Sequence, residues 1–186
     1  METFRPEKNE KMSDNSFKFM NFTFKLMDFI YPYVKKRSKT FGISEGMTVI
    51  DYGCGPGRYT TEFAKIVGEK GKVYAADIHE MAIAEVKKKI VKMNLNNVET
   101  VLVNGYNSPL PDQTADIICA LDMFFIIKEP TEFLKELNRL IKDDGILIID
   151  DRHQKRSKTK EKILKSGLWT IYKENKDHLC CRPVKS

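Results

Sequence analysis

From Met47 onward, short apolar runs alternate with longer stretches of helical periodicity. The runs have the length and the Val, Ile and Ala content of buried strands, and each stretch between them carries apolar residues at helical spacing. The predicted strands are residues 48–52, 72–76, 98–103, 116–121 and 145–150, and the predicted helices are residues 58–67, 79–93 and 130–141. Parallel neighbours require such crossover helices, which then cover the sheet. We therefore expect a single α/β domain with a mostly parallel sheet and helices on both faces.

The alternation stops after Asp150. A helix predicted at residues 158–166 leads into two strand-like segments, residues 168–173 and 179–183, which only a short polar turn separates. Strands this close in sequence pair antiparallel. The sequence therefore predicts a C-terminal antiparallel hairpin at the end of the sheet.

The first 45 residues follow a different pattern. After a polar start, apolar residues recur at spacings of three and four, which predicts one stripe of an amphipathic helix: Phe17, Met20, Phe24, Met27 and Tyr31. Pro32 limits this helix. Two interpretations of this helix are open: it packs on the domain surface, or it forms a lid over a ligand cleft. One helix can do both. We divide the chain into an N-terminal segment, residues 1–45, and a domain, residues 46–186.

The charged residues and the cysteines bear on whether the chain spans a membrane, is secreted or binds a metal. Charged residues interrupt the apolar stretch at residues 17–34, so it cannot span a membrane, and the acidic N-terminus is unlike a secretion signal. The four cysteines match no paired zinc template, and the histidines have no partners at ligand spacing, so we expect no metal. Reduced thiols indicate a cytoplasmic protein. We expect one exposed and one buried thiol in the pair Cys180 and Cys181.

The net charge of +6 is concentrated near the C-terminus. Residues 151–186 hold 11 Lys and Arg against 4 Asp and Glu, so the rest of the chain is close to neutral. A basic face can attract phosphates, but lysines on a solvated helix give the same count. The net charge therefore neither indicates nor excludes nucleic acid as a partner.

The segment Asp51-Tyr52-Gly53-Cys54-Gly55-Pro56-Gly57 joins the first predicted strand to the first predicted helix. Its glycines let a ligand approach main-chain amides and the positive end of the helix, at the edge where a parallel sheet leaves a crevice. Asp77 ends the second strand 20 residues beyond Gly57, where an acidic side chain accepts hydrogen bonds from ribose hydroxyls. Ile78 and Met81 would flank the adenine ring. A Rossmann-like domain with a pocket for a nucleotide-like ligand follows.

Here the sequence resembles the class I S-adenosylmethionine-dependent methyltransferases, particularly methyltransferase type 11 and the ubiquinone and menaquinone biosynthesis methyltransferases. The resemblance covers about Met47 to Pro183 and implies S-adenosylmethionine as the cofactor. It places Asp51 near the methionine part of the cofactor and Asp77 at the ribose. It also implies that the rest of the turn lines the cofactor: Tyr52, Gly53, Cys54, Gly55 and Gly57. Asn104-Gly105 follows the third strand, where the family contacts adenine. Asn104 replaces the usual acid, and its amide oxygen can still accept from the adenine amine.

A nicotinamide dehydrogenase is the main competing interpretation. Its fingerprint is GxGxxG, whereas this chain has GxGxG with Arg58 at the position of the last glycine, and that spacing favours the methyl donor. Two further alternatives are a methyltransferase acting on RNA or protein, and a non-catalytic domain that only binds the cofactor.

Proton acceptors are expected near the carboxyl ends of the fourth and fifth strands. The candidates are Asp122, Asp150, Asp151 and His153, of which we favour Asp122 and His153 as catalytic residues. The two prolines that typically follow this strand in base-amine methyltransferases are absent after Asp122, and no Pro-Cys pair of the 5-methylcytosine enzymes is present. A small-molecule acceptor is therefore the better prediction.

Overall fold

A seven-stranded sheet forms the centre of the molecule, in the order β3-β2-β1-β4-β5-β7-β6. The computed structural model describes residues 11–30 and 33–184, and for residues 25–30 it describes the backbone alone. The strands are β1 Thr48–Tyr52, β2 Lys72–Asp77, β3 Val98–Leu102, β4 Ala115–Ala120, β5 Ile141–Asp150, β6 Trp169–Glu174 and β7 His178–Pro183. The helices are α1 Asp14–Ile30, α2 Tyr33–Ser38, α3 Arg58–Val67, α4 Glu80–Met93, α5 Pro130–Leu140 and α6 Arg156–Lys165.

The first five strands are parallel, and β7 is antiparallel to both of its neighbours. The sheet is buried on both faces because neighbouring residues of one strand enter different core clusters. Val49 packs with Phe63 of α3, whereas Ile50 packs in the cluster that contains Phe133 of α5. The α/β fold, the mostly parallel sheet and the closing antiparallel hairpin are thus confirmed.

Two details differ from the prediction. Strand β5 begins at Ile141, four residues before the predicted start, because Ile141 pairs with Ala115 before a register shift in β4. Cys180 and Cys181 are both buried, at 4% and 0% exposed, so the prediction of one exposed thiol was wrong. Cys181 packs in the core cluster that contains Ile163 and Trp169, and Cys180 packs in the cluster that contains Val34 and Phe41, so both faces of β7 are covered.

The N-terminal helices extend across the carboxyl edge of the sheet. Phe17 of α1 is buried against the ring of His79, with ring centroids 4.8 Å apart, and Asn21 donates to Glu85 of α4 at 3.1 Å. Tyr31, the last residue of the predicted stripe, and Pro32, which is predicted to limit the helix, lie outside the described residues. Within the part of the chain that the structure describes, every helix is too short or too polar to cross a membrane.

Candidate functional site

The turn between β1 and α3 passes through conformations that favour glycine. Gly53 and Gly55 have φ of 78° and 51°, in the left-handed region. A Cβ atom on Gly53 would lie 2.9 Å from Cγ of Met123, whereas one on Gly55 would meet only Cε of Met20, at 4.0 Å. Gly53 therefore permits a close approach of the chain after β4, and Gly55 exposes backbone to the adjoining cavity.

The Asp77 carboxylate connects this turn to the start of α4. Its Oδ2 accepts from the Gly55 amide at 2.8 Å, and its Oδ1 accepts from the His79 amide at 2.8 Å. Burial raises the pKa of Asp77, although these hydrogen bonds oppose the shift. The carboxylate is thus fixed at the end of β2, where it borders the cavity.

Asp51 is a second acidic group in the same cavity. It is 2% exposed, and its Oδ2 accepts from the Thr60 hydroxyl at 2.6 Å. Burial raises its pKa to about 7, and repulsion from Asp77 adds to the shift. A cationic ligand group beside Asp51 would favour the charged carboxylate, so this position suits an ammonium.

The cavity has a volume of about 570 Å³, within the usual range for small-molecule sites. One side carries most of the predicted cofactor residues: Asp51, Tyr52, Gly53, Cys54, Gly55, Asp77, Ile78 and Gly105. A second part of the lining, called the apolar side below, is mainly aromatic and aliphatic: Phe17, Met20, Phe24, Tyr33, Met123, Phe125 and Ile126. The predicted cofactor residues and the apolar side therefore border one space.

Two predicted cofactor residues lie elsewhere. Gly57 has φ of 75°, and a Cβ atom there would lie 2.8 Å from Cγ2 of Val86, so this glycine lets α4 pack close to the turn. Asn104 is exposed and forms an isolated bridge with Asn107. Gly105 is the member of the Asn104-Gly105 pair that lines the cavity.

A buried arginine that the sequence did not single out joins three parts of the chain. Arg37 of α2 donates through Nη2 to Asp150 at 2.9 Å, through Nε to Asp177 at 2.7 Å and through Nη1 to the Tyr59 hydroxyl at 2.8 Å. Its side chain is 3% exposed. Its partners are 22 to 140 positions away in sequence, so no local pattern could identify it.

Two of the predicted proton acceptors are brought together at the apolar side. Asp122 follows β4 with φ of 59°, and its Oδ1 lies 3.4 Å from Nε2 of His153. The Arg152 guanidinium also pairs with Asp122 and donates to Asp150 at 3.2 Å. Burial acts to raise the pKa of Asp122, but the Arg152 guanidinium, a hydrogen bond with Asp150 and the charge of Arg37 together hold the pKa below its usual value.

The four candidates therefore differ in surroundings. His153 lines the cavity, is half exposed, and has its ring centroid 4.9 Å from that of Phe125. Asp150 faces Arg37, and burial together with Asp122 raises its pKa. Asp151 pairs with Arg156 of α6. Of the four, Asp122 and His153 line the cavity.

Comparison with known proteins agrees with this geometry. The family model described as a methyltransferase domain matches residues 43–179. The ubiquinone/menaquinone biosynthesis C-methyltransferase UbiE of Escherichia fergusonii is 34% identical over 109 residues, which are 58% of this chain and 43% of that protein. This chain thus spans less than half the length of that relative.

Solved structures show the same likeness. A SAM-dependent methyltransferase from Aquifex aeolicus superposes with a TM-score of 0.73 and 32% identity, covering 81% of this chain and 89% of the other. A SAM-dependent O-methyltransferase from Thermotoga maritima has a TM-score of 0.65 at 16% identity, over 84% of this chain and 66% of the other, and shows the fold alone. The family resemblance seen in the sequence is confirmed: the chain belongs to the S-adenosylmethionine-dependent methyltransferase family.

Proposed function

We propose that this chain binds S-adenosylmethionine and transfers its methyl group to a small-molecule acceptor. The observation that carries the proposal is the pair of acidic groups beside the glycine turn. Asp77 is fixed against the Gly55 amide as an acceptor, and Asp51 is buried in the same cavity. A nucleoside with a cationic amino-acid tail needs both groups, one for a ribose hydroxyl and one for an ammonium.

The lining residues fit such a cofactor. Gly55 leaves backbone open to the cavity, and Ile78 and Gly105 border the space next to Asp77 where a planar base would lie. When bound, the cofactor supplies a methyl group made electrophilic by the attached sulfonium. The chain then has to hold the acceptor in line with that group and exclude water. Phe17, Met20 and the other apolar lining residues perform the second task.

The apolar side of the cavity supports a small and largely apolar acceptor. Its aromatic rings would contact an acceptor skeleton. Its polar groups include Asp122, which lies 3.4 Å from His153 and pairs with Arg152, and Arg152 in turn lies over the Tyr33 ring. The name of the Escherichia fergusonii relative, a quinone-biosynthesis C-methyltransferase, is in keeping with an acceptor of this size and polarity.

For an acceptor that loses a proton, we propose His153 as the catalytic residue that takes it, with Asp122 orienting the imidazole. Arg152 stabilises the charged form of Asp122, which makes this carboxylate a weak base. His153 lies 3.4 Å from Asp122 and reaches the cavity. These two roles follow from the contacts of each residue. The Asp122 carboxylate is paired with Arg152, whereas the His153 imidazole remains accessible to a ligand in the cavity.

We also propose that the enzyme works in the cytoplasm. The described cysteines are free and buried, which fits a compartment that keeps thiols reduced.

The test is calorimetric titration with S-adenosylmethionine, S-adenosylhomocysteine and NADH. Wild-type protein should bind both adenosyl ligands and not NADH. Asp77→Ala should weaken their binding about a hundredfold, because a charge-assisted hydrogen bond is lost. Asp112→Ala is the matched control, since that carboxylate is 73% exposed and pairs with Arg139 at the surface. Binding of NADH alone would refute the proposal.

A further inference from the structure

Two apolar side chains lie at the border between the cavity and the molecular surface. Phe125 and Ile126 line the apolar side of the cavity, yet they are 42% and 41% exposed. Both belong to a short 3-10 helix, Phe124–Ile126, that follows β4. Apolar groups that are exposed beside a cavity mark a place where an apolar ligand or surface is met. The apolar lining of the cavity thus continues onto the surface at this short helix.

A stripe of lysines begins beside these two residues. Residues 155–165 hold six Lys and Arg against one Glu. Four of the lysines recur at spacings of three and four along α6 and its N-cap, so they share one stripe of the helix: Lys155, Lys158, Lys162 and Lys165. Lys162 connects the stripe to the 3-10 helix, because its Nζ donates to the Phe124 carbonyl oxygen at 3.3 Å. The lysine stripe, Phe125 and Ile126 therefore form one surface, called the rim surface below.

The charges of the lysine stripe are not neutralised by the side chains that the structure describes. The two other basic residues of α6, Arg156 and Lys160, pair with carboxylates, whereas none of the four stripe lysines forms an ion pair with a described side chain. Burial, and then repulsion from Lys158 one turn away, lowers the pKa of Lys162. Like charges at this spacing destabilise a helix, so an anionic partner would stabilise the stripe.

We propose that the rim surface binds an anionic phospholipid surface. The lysines would contact the phosphates, and Phe125 and Ile126 would enter the boundary between headgroups and acyl chains. Charge complementarity supports the first contact, because lysines near a membrane are attracted to anionic lipids. The exposed apolar pair favours a lipid over a nucleic acid, since contacts to nucleic-acid phosphates need only the lysines. Lysines combined with exposed apolar side chains are typical of proteins that lie on a membrane without crossing it.

This contact would bring the cavity to the lipid. Phe125 and Ile126 are shared by the rim surface and the cavity lining, so an apolar acceptor dissolved in the lipid would reach the cavity without crossing water. This consequence rests on the proposed function, whereas lipid binding itself does not.

Co-sedimentation with vesicles tests the proposal. Wild-type protein should bind vesicles of phosphatidylglycerol and phosphatidylcholine in equal parts at least about tenfold more tightly than vesicles of phosphatidylcholine alone. The double variant Lys155→Glu/Lys158→Glu should bind the anionic vesicles about tenfold more weakly or worse, because attraction becomes repulsion. Phe125→Ser/Ile126→Ser should also bind about tenfold more weakly, because apolar contact is lost. Thermal melting checks that each variant is folded.

Helix α4 offers matched controls at the other end of the molecule. It packs on β2 and β3, whereas α6 packs on β6 at the opposite edge of the sheet. Lys87→Glu/Lys92→Glu makes the same change of charge at two exposed lysines. Val91→Ser/Met93→Ser removes two exposed apolar side chains. Both control variants should bind the anionic vesicles as wild type does.

The outcomes separate the alternatives. Wild-type protein that binds neither kind of vesicle, or both equally, would overturn the proposal. Equal losses in the α4 controls would also overturn it, because net charge alone would then explain the binding. A single-stranded RNA that binds through the same lysines and more tightly than the anionic vesicles would assign the rim surface to nucleic acid instead. None of these results affects the proposed function, which the calorimetric titration tests without lipid.

Discussion

The Asp51→Asn variant removes the charge of a buried carboxylate. It allows the free-energy cost of burying this charge to be measured separately from the contribution of the charge to ligand binding. The carboxyl group is 2% exposed and accepts from the Thr60 hydroxyl, a hydrogen bond that an amide oxygen can also accept. Burial raises the pKa of Asp51 to about 7 in the folded chain, whereas an exposed aspartate titrates near pH ~3.9. Between these values the folded state holds a proton that the unfolded state has released.

This difference makes the wild-type protein less stable as the pH rises. The folded state binds more protons than the unfolded state in this window, so the free energy of unfolding falls from about pH 4 to pH 7. At about 1.4 kcal/mol per unit of pKa, ionised Asp51 destabilises the ligand-free fold by roughly 4 kcal/mol at pH 8. Asp51→Asn lacks this titration. The variant should therefore match wild type near pH 4 and exceed its stability by up to roughly 4 kcal/mol at pH 8.

Urea unfolding followed by fluorescence of the single tryptophan, Trp169, measures this difference, because the indole is buried in the fold. The same variant should bind S-adenosylmethionine at least about tenfold more weakly, since the ligand ammonium loses its carboxylate. Asp112→Asn, at an exposed carboxylate, should stay within about 0.5 kcal/mol of wild type at each pH. A stability gain at Asp51→Asn that does not change with pH would refute burial of the charge as its cause.

Three other predictions concern the packing around the site. Arg37→Met should lower the free energy of unfolding by about 3–5 kcal/mol in urea, because it removes a buried cation from the buried Asp150 and the partly buried Asp177, whereas the exposed Lys39→Met should change it little. Gly57→Ala should cost about 1–3 kcal/mol more than Gly42→Ala in the same assay, because both glycines have φ of 75° but only the new methyl group at residue 57 meets Val86. Equal costs would show that backbone strain alone matters. The four buried thiols should react slowly with Ellman's reagent in the folded protein and rapidly in urea, and fast native reaction would contradict their burial.

Local signals sufficed to predict much of the fold and to bring the two acidic groups of the cavity together. The predicted bounds of β1 and α3 are those of the structure, because the glycine turn separates a continuous apolar run from helical periodicity and Gly68 ends the helix. Asp51 and Asp77 could be placed in one cavity because parallel strands bring their carboxyl ends to the same edge. The start of β5 was hidden by Lys142 and its acidic neighbours, whose polarity is typical of a turn.

Features that depend on contacts distant in sequence were not predictable. Cys180 and Cys181 are both buried because a core cluster covers each face of β7, and the residues of these clusters are distant from β7 in sequence. Arg37 lies in a stretch rich in lysine, where a charged side chain normally indicates a solvated surface. The cation is buried because carboxylates from β5 and from the β6–β7 turn meet it there.

The position of Arg37 limits where the chain can be cut if this domain is to be moved into another protein. The recurring family pattern begins at residue 43, and the segment boundary that the sequence suggests falls after residue 45. A graft cut at either place would leave behind the guanidinium that neutralises Asp150 and Asp177, two carboxylates that lie beyond the cut. Any host that receives the graft would have to provide a cation at the same point, so the exchangeable module is longer than the shared sequence pattern.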